Sequence, residues 1–90
     1  MIVIDRPVWW WRGRRWAHLA SDTAFDELHD FAARLGLRRE WFQGDHYDLP
    51  EHRWDEAVAL GATPIDSREL VQRLRAAGLR RPRRQRSRPS

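Results

Sequence analysis

The spacing of apolar residues changes along the chain, and each change marks an element. Residues 1–5 are apolar without alternation until Asp5, which predicts a short buried strand of the parallel-sheet kind. Residues 6–21 contain Pro7 and Gly13, hold no sustained period, and read as a loop. Phe25, Leu28, Ala32 and Leu35 then recur at helical spacing and predict a helix over 23–35, with Thr23 and Asp26 at the spacing of a capping box. Residues 39–42 predict a second strand and 43–48 a polar loop. A second helix is predicted from about Pro50, with Asp48 and Glu51 at cap spacing and Trp54, Ala57 and Val58 on its apolar face. Residues 63–65 predict a third strand, which Pro64 confines to a sheet edge or a strand start. Asp66 or Ser67 caps a third helix over 68–77, with Leu70, Val71 and Leu74 inward. Gly36, Gly61 and Gly78 stand where the three helices should stop.

The order β-α-β-α-β-α predicts an α/β domain, three-layer-like, with a short parallel sheet in strand order 2-1-3. Ligands of such sheets bind outside the carboxyl ends of the strands. Three segments leave those ends here: Asp5 with the Trp/Arg loop, then Gln43, His46, Tyr47 and Asp48, then Asp66, Ser67 and Arg68. The topology therefore predicts that these polar residues converge at one edge of the sheet.

Length and charge bound what this domain can be. Ninety residues make one domain, and a chain of this size buries only about 60% of its unfolded surface. Without cysteine there are no disulfides, thiolate metal sites or cysteine nucleophile. No apolar run approaches the ~18 residues of a membrane span and no signal-peptide pattern opens the chain, so the expected setting is cytoplasmic, with no membrane partner. All 17 basic residues are arginine, and the net charge is +4. Six of these arginines fall in residues 80–90, so residues 1–79 carry 11 − 13 = −2. The expected organisation is a domain over 1–79 and a disordered Arg-rich tail over 80–90, able to bind nucleic acid through counterion release.

Within the domain, Asp5 is either a cap for a loop amide or a carboxylate that holds a metal or acts as a base. The stretch from Trp9 to His18 is core filler over a thin sheet, or a stacking surface. In the second reading Trp10 and Trp16 stack a heterocycle while Arg12 and Arg15 hold phosphate or carboxylate. It is not a phosphate-binding loop, because it lacks the further glycines and the Lys-Ser/Thr ending. His18 and His46 suit acid–base work or metal ligation, or else hydrogen-bond backbone in the core. No HExxH-like spacing specifies a metal or cofactor. His29 and His52 fall within helices and are expected at the surface. Asp48 and Ser67 are explained by helix capping alone, or belong to the ligand edge with Arg68 reaching an anion there.

The sequence resembles the small bacterial and phage family catalogued as domain-of-unknown-function family 4031. The resemblance rests on the opening strand ending in Asp5, Arg12-Gly13-Arg14-Arg15-Trp16 with His18-Leu19, and Glu27-Leu28-His29. It continues through Leu35-Gly36-Leu37, Trp41-Phe42-Gln43, His46-Tyr47-Asp48-Leu49, Ala59-Leu60-Gly61-Ala62 and Ser67-Arg68-Glu69-Leu70. It covers about residues 1–75 and implies no established activity. Arg6 stands where the family has a second acidic residue, and the loop before His46 is shorter here. Both differences count against a two-carboxylate metal site.

The leading expectation is a module that binds a small anionic, nucleotide-like ligand, and hydrolyses or otherwise processes it. Asp5, His18 and His46 are the acid–base or metal set. Trp10, Arg12, Arg15, Trp16, Gln43, Tyr47, Asp48 and Arg68 are the binding set. The alternatives are a nucleic-acid accessory protein acting through residues 80–90, or an interaction module using the Trp loop.

Overall fold

The computed structural model describes residues 1–80. The chain runs through β1 (Ile2–Ile4), β2 (Trp9–Trp11), β3 (Arg14–Ser21), α1 (Phe25–Arg34), β4 (Tyr47–Pro50), α2 (Trp54–Leu60), β5 (Thr63–Pro64) and α3 (Ser67–Ala76). Short 3-10 turns at Arg39–Trp41 and Glu51–Arg53 precede β4 and α2. The class is α/β. Helices α1 and α2 pack on one face of the sheet and α3 on the other.

Strand β3 organises the sheet. Its first half pairs with β2, its second half with β1, both antiparallel, and β4 pairs along its opposite edge. β1 pairs in parallel with β5. The first strand is thus flanked on both sides, and its parallel partner is the strand expected at 63–65. The rest of the sheet departs from the sequence reading: it is mixed, not wholly parallel, and the order 2-1-3 does not describe it. Residues 39–42 form no ladder strand. Arg39 to Trp41 make a single 3-10 turn that buries nothing, and only Phe42 bridges to Tyr47. The place expected for it beside the first strand is taken by β3, from the segment read as a loop, which folds as the β2–β3 hairpin.

That hairpin turns on two residues, Arg12 and Gly13, with φ of 52° and 78°. A two-residue loop with both φ positive matches the right-handed twist of its strands. Arg12 occupies a left-handed conformation that costs most side chains about 1–2 kcal/mol. Arg12→Asn should therefore stabilise the fold by ~0.5–1 kcal/mol, raising Tm by ~2–8 °C in a thermal melt. An unchanged or lower Tm would show that the Arg12 side chain, stacked over Trp11 at 4.7 Å, offsets its backbone cost.

β1 and β2 lie end to end along β3, separated by a bulge. Ile4 pairs with Leu19 and Trp9 with Trp16, so residues 5–8 stand opposite only residues 17–18. Pro7, unable to donate to a ladder, sits in this interruption. The two extra residues keep the facing of the strands in phase. Ile2, Ile4, Ala17, Leu19, Tyr47 and Leu49 point to the larger core with Leu28, Phe31 and Ala32 of α1 and Ala57 of α2. Val3 and Ala20 point the other way, to Leu70 and Leu74 of α3. Helix α3 covers only that end of its face. Trp9, Trp11, Trp16 and His18 continue the same face beyond it.

Two caps differ from expectation. Ser21, not Thr23, meets the start of α1: its hydroxyl accepts from the Thr23 and Ala24 amides, and no capping box forms. Asp66 caps α3 by accepting from the Glu69 amide at 2.7 Å, which leaves Ser67 free for other bonds. Asp48 caps nothing and lies inside β4. The tail expected over 80–90 lies, from residue 81, outside the described residues. Among the described residues no helix is long and apolar enough to cross a membrane.

Candidate functional site

The bulge delivers Asp5. Its side chain is fully buried and turns back along β3. Oδ1 accepts the His18 backbone amide at 2.6 Å, taking the place of a ladder carbonyl, and Oδ2 meets His18 Nδ1 at 2.7 Å. The Ser67 hydroxyl donates to the same Oδ2 at 2.7 Å, and Trp54 Nε1 donates to the Asp5 carbonyl at 2.8 Å. Asp5 and Ser67 follow the carboxyl ends of the parallel pair β1 and β5, where convergence was expected. These are the residue types of a serine-hydrolase triad in a different wiring: Ser67 bonds the carboxylate rather than the imidazole, so His18 does not activate it.

Two further rings hold His18 in place. Trp9 stacks on it with centroids 5.6 Å apart, and His46 meets it edge-on at 4.9 Å. With Nδ1 on Asp5, its second ring nitrogen is the one left for chemistry. His46 comes from the turn before β4, and Asp48 from β4 itself, directly across the ladder from His18. His46 Nδ1 lies 2.6 Å from Asp45 Oδ1, and its Nε2 lies 3.1 Å from Asp48 Oδ1. Burial alone would lower the His46 pKa, but the Asp45 hydrogen bond and the close negative charges of Asp45 and Asp48 outweigh it and push the pKa up to about 9. Burial would raise Asp45, yet His46, with Arg80 and His18 behind it, holds its carboxyl below the usual range. The Asp48 contact is close but misaligned, and Asp48 Oδ1 is a buried oxygen without a hydrogen-bond partner among the described residues. Trp9 Nε1 is likewise buried and unpartnered.

Two cavities adjoin these residues. A polar one of about 140 Å³ is lined by Asp5, His18, His46, Ser67 and Arg80 with Leu70 and Val71 of α3. Beside it, an aromatic cleft of about 400 Å³ is lined by Trp11, Trp16, Trp41, Gln43, Asp48 and Arg53, with Leu37 and Pro50. Residues two apart on β3, Trp16 and His18, border one cavity each. Trp16 is fixed by its own Nε1, which donates to the Trp11 carbonyl at 2.8 Å.

Of the expected site residues, the structure brings together Asp5, His18, His46 and Asp48, with Trp16 and Gln43 in the adjoining cleft. The others lie apart. Trp10 and Arg15 pair across the hairpin on its opposite face and are exposed. Arg12 is at the hairpin tip and Arg68 on the exposed side of α3. Tyr47 points into the core, where its hydroxyl bonds His29 Nδ1 at 2.8 Å. His29 is correspondingly no bare surface residue: it packs edge-on against Phe42 and Tyr47, and burial, with the charge of Arg39, lowers its pKa. Sequence reasoning missed Asp45, Trp41, Arg53 and Arg80. The signal for Asp45 was its place beside His46. The other three had none, because Arg80 looked like tail and Trp41 like strand.

The fold and site define a class: small α/β proteins in which a bulged strand end clamps an imidazole beside a second imidazole and an aromatic cleft. The chain belongs to the family DUF4031, described as a protein of unknown function, whose family model matches residues 2–77. No curated protein and no solved structure matches it.

Proposed function

We propose that the open face of the sheet binds a small, anionic, nucleotide-like ligand, its ring in the Trp11–Trp16–Trp41 cleft and its polar end toward His18 and His46. One observation carries this reading: the aromatic cleft and the imidazole–carboxylate pocket lie side by side along β3 and β4, with Trp16 bordering one and His18, two residues on and on the same face, the other. A cavity of about 400 Å³ falls in the range of small-molecule sites, ~300–1,000 Å³. Gln43 and Asp48 provide a few polar groups among its apolar walls, the composition that fixes a ligand's orientation. The anion-pairing role expected of Arg12, Arg15 and Arg68 passes to Arg53 and Arg80, which line the two cavities. His18, oriented by Asp5, has the form of a general acid or base.

The test is titration with AMP in the presence of EDTA, followed by tryptophan fluorescence. Wild type should show saturable quenching. Trp16→Ala should weaken affinity roughly 5- to 150-fold, since a stacked base contributes ~1–3 kcal/mol. Trp10→Ala, on the opposite face, should leave it unchanged. If neither AMP nor the other nucleoside monophosphates quench saturably, the nucleotide reading is wrong.

A further inference from the structure

We propose that His18, His46 and Asp48 form a binding site for one divalent transition-metal ion of the Zn²⁺ class. One donor atom from each of the three lies within 4.8 Å of the others. Both imidazoles are prepared in the same way. His18 Nδ1 is taken by Asp5 at 2.7 Å and His46 Nδ1 by Asp45 at 2.6 Å, which leaves Nε2 of each ring to ligate. A carboxylate behind the imidazole is the usual support of a metal-binding histidine, because it fixes the tautomer and makes the outer nitrogen more basic. Two such pairs side by side are more than core packing requires.

The third donor is the buried Asp48 oxygen that bonds nothing else. It lies 3.1 Å from His46 Nε2. Two ligands at ~2.0–2.1 Å from a tetrahedral ion stand about 3.3 Å apart, so this pair needs almost no movement. Asp48, which no hydrogen bond restrains and which stands directly across the ladder from His18, is free to rotate toward it. Charge points the same way. Asp5, Asp45 and Asp48 lie about the two imidazoles, while among the described residues the nearby guanidiniums are Arg80, paired with Asp45, and Arg53, which lines the cleft with Asp48; a dication offsets the remaining negative charge. Two nitrogens and one oxygen select Zn²⁺, Co²⁺ or Fe²⁺ over Mg²⁺ and Ca²⁺, which prefer oxygen. Three protein ligands leave a coordination position open. The 140 Å³ cavity bordered by His18 and His46 has room for about four or five waters at ~30 Å³ each.

The experiment is titration of the EDTA-stripped full chain, without nucleotide, using Zn²⁺ by calorimetry and Co²⁺ by its visible absorption bands. Wild type should bind one equivalent. Asp48→Asn and His46→Gln should each lose at least ~100-fold in affinity, more than the ~10–100-fold expected of the supporting variant Asp45→Asn. His52→Ala, an exposed histidine elsewhere, should bind as wild type. Far-UV circular dichroism checks that each variant is folded, and Asp48→Asn, nearly isosteric at a partly exposed position, carries the test if His46→Gln does not fold. Absence of one-equivalent binding in wild type, or undiminished binding in Asp48→Asn, overturns the site. AMP titration in EDTA and metal titration without AMP are separate measurements, so the two readings fail separately.

Discussion

Asp5→Ala should destabilise the protein by about 3–5 kcal/mol, the range seen when a buried polar network loses its central member. Three donors or ring nitrogens converge on this fully buried carboxylate: the His18 amide, His18 Nδ1 and the Ser67 hydroxyl. Alanine leaves all three without this partner; a buried unsatisfied group costs about 1–3 kcal/mol, borne mainly by the His18 amide, and the lost ties to the partly exposed His18 ring and Ser67 hydroxyl add to it. For a domain of this size each kcal/mol moves Tm by ~4–8 °C, so a loss of more than ~12 °C is expected, and the variant will be largely unfolded if the parent is marginal. Asp5→Asn keeps an acceptor for the His18 amide and should fall between the two. Thermal and urea melts of the three proteins decide the matter. An Asp5→Ala variant within ~1 kcal/mol of wild type would mean that His18 and Ser67 find other partners and that the bulge does not depend on the carboxylate.

The second large effect is on the pH dependence of stability. In the metal-free chain the His46 pKa stands at about 9 when folded against 6.5 for the ordinary side chain. At ~1.36 kcal/mol per pH unit, that difference is worth about 3 kcal/mol. The folded pKa is raised, so the folded state binds the proton more tightly. Its contribution is complete below pH 6.5, declines as pH rises, and is lost above about 9. The same ion pair viewed from Asp45, whose pKa is lowered from 3.8, weakens at the other end, as pH falls below that value. Stability in EDTA should therefore be greatest between roughly pH 4 and 6.5 and fall by about 3 kcal/mol toward pH 9. His46→Gln should remove the alkaline decline. A wild-type profile parallel to that of His46→Gln from pH 6 to 9 would show that the two carboxylates do not hold a proton on His46.

The helices were legible because their patterns are long and their ends are marked. Gly36, Gly61 and Gly78 all take positive φ at the stops read from the sequence. The parallel pairing of 63–65 with the opening strand was legible too, and with it the meeting of Asp5 and Ser67. The hairpin was hidden by its own chemistry. Trp9-Trp10-Trp11 and Arg14-Arg15-Trp16 show no alternation, since both faces of the hairpin mix tryptophan and arginine and all of these side chains are large. Arg12-Gly13 lacks the Asn-Gly or Asp-Gly signal of a tight turn. The second half of β3, Leu19-Ala20-Ser21, is buried on both faces, so its period of two disappears. For Asp48 two signals compete, and Asp-Leu-Pro-Glu has the spacing of a helix cap. The competing signal was the strand pattern Tyr47-Asp48-Leu49-Pro50, alternately buried and half-buried. That alternation is what turns the Asp48 carboxylate to the face that carries His18.

The bulge between β1 and β2 also limits how this chain can change in length. Because residues 5–8 oppose residues 17–18, the surplus is even, and side-chain facing repeats every two residues. A single-residue deletion within 6–8 would rotate the Trp9–Trp11 strand by half a turn, sending Trp10 to the open face and Trp9 and Trp11 away from it. A two-residue deletion would restore the facing but draw the chain straight, with no slack for Asp5 to fold back on His18. Length variants that survive should therefore differ in steps of two at this point, whereas the hairpin tip and the turns flanking Gly44 are free of that parity. The ring stack and the buried carboxylate are in this sense a single inherited unit, bound together by the number of residues between them.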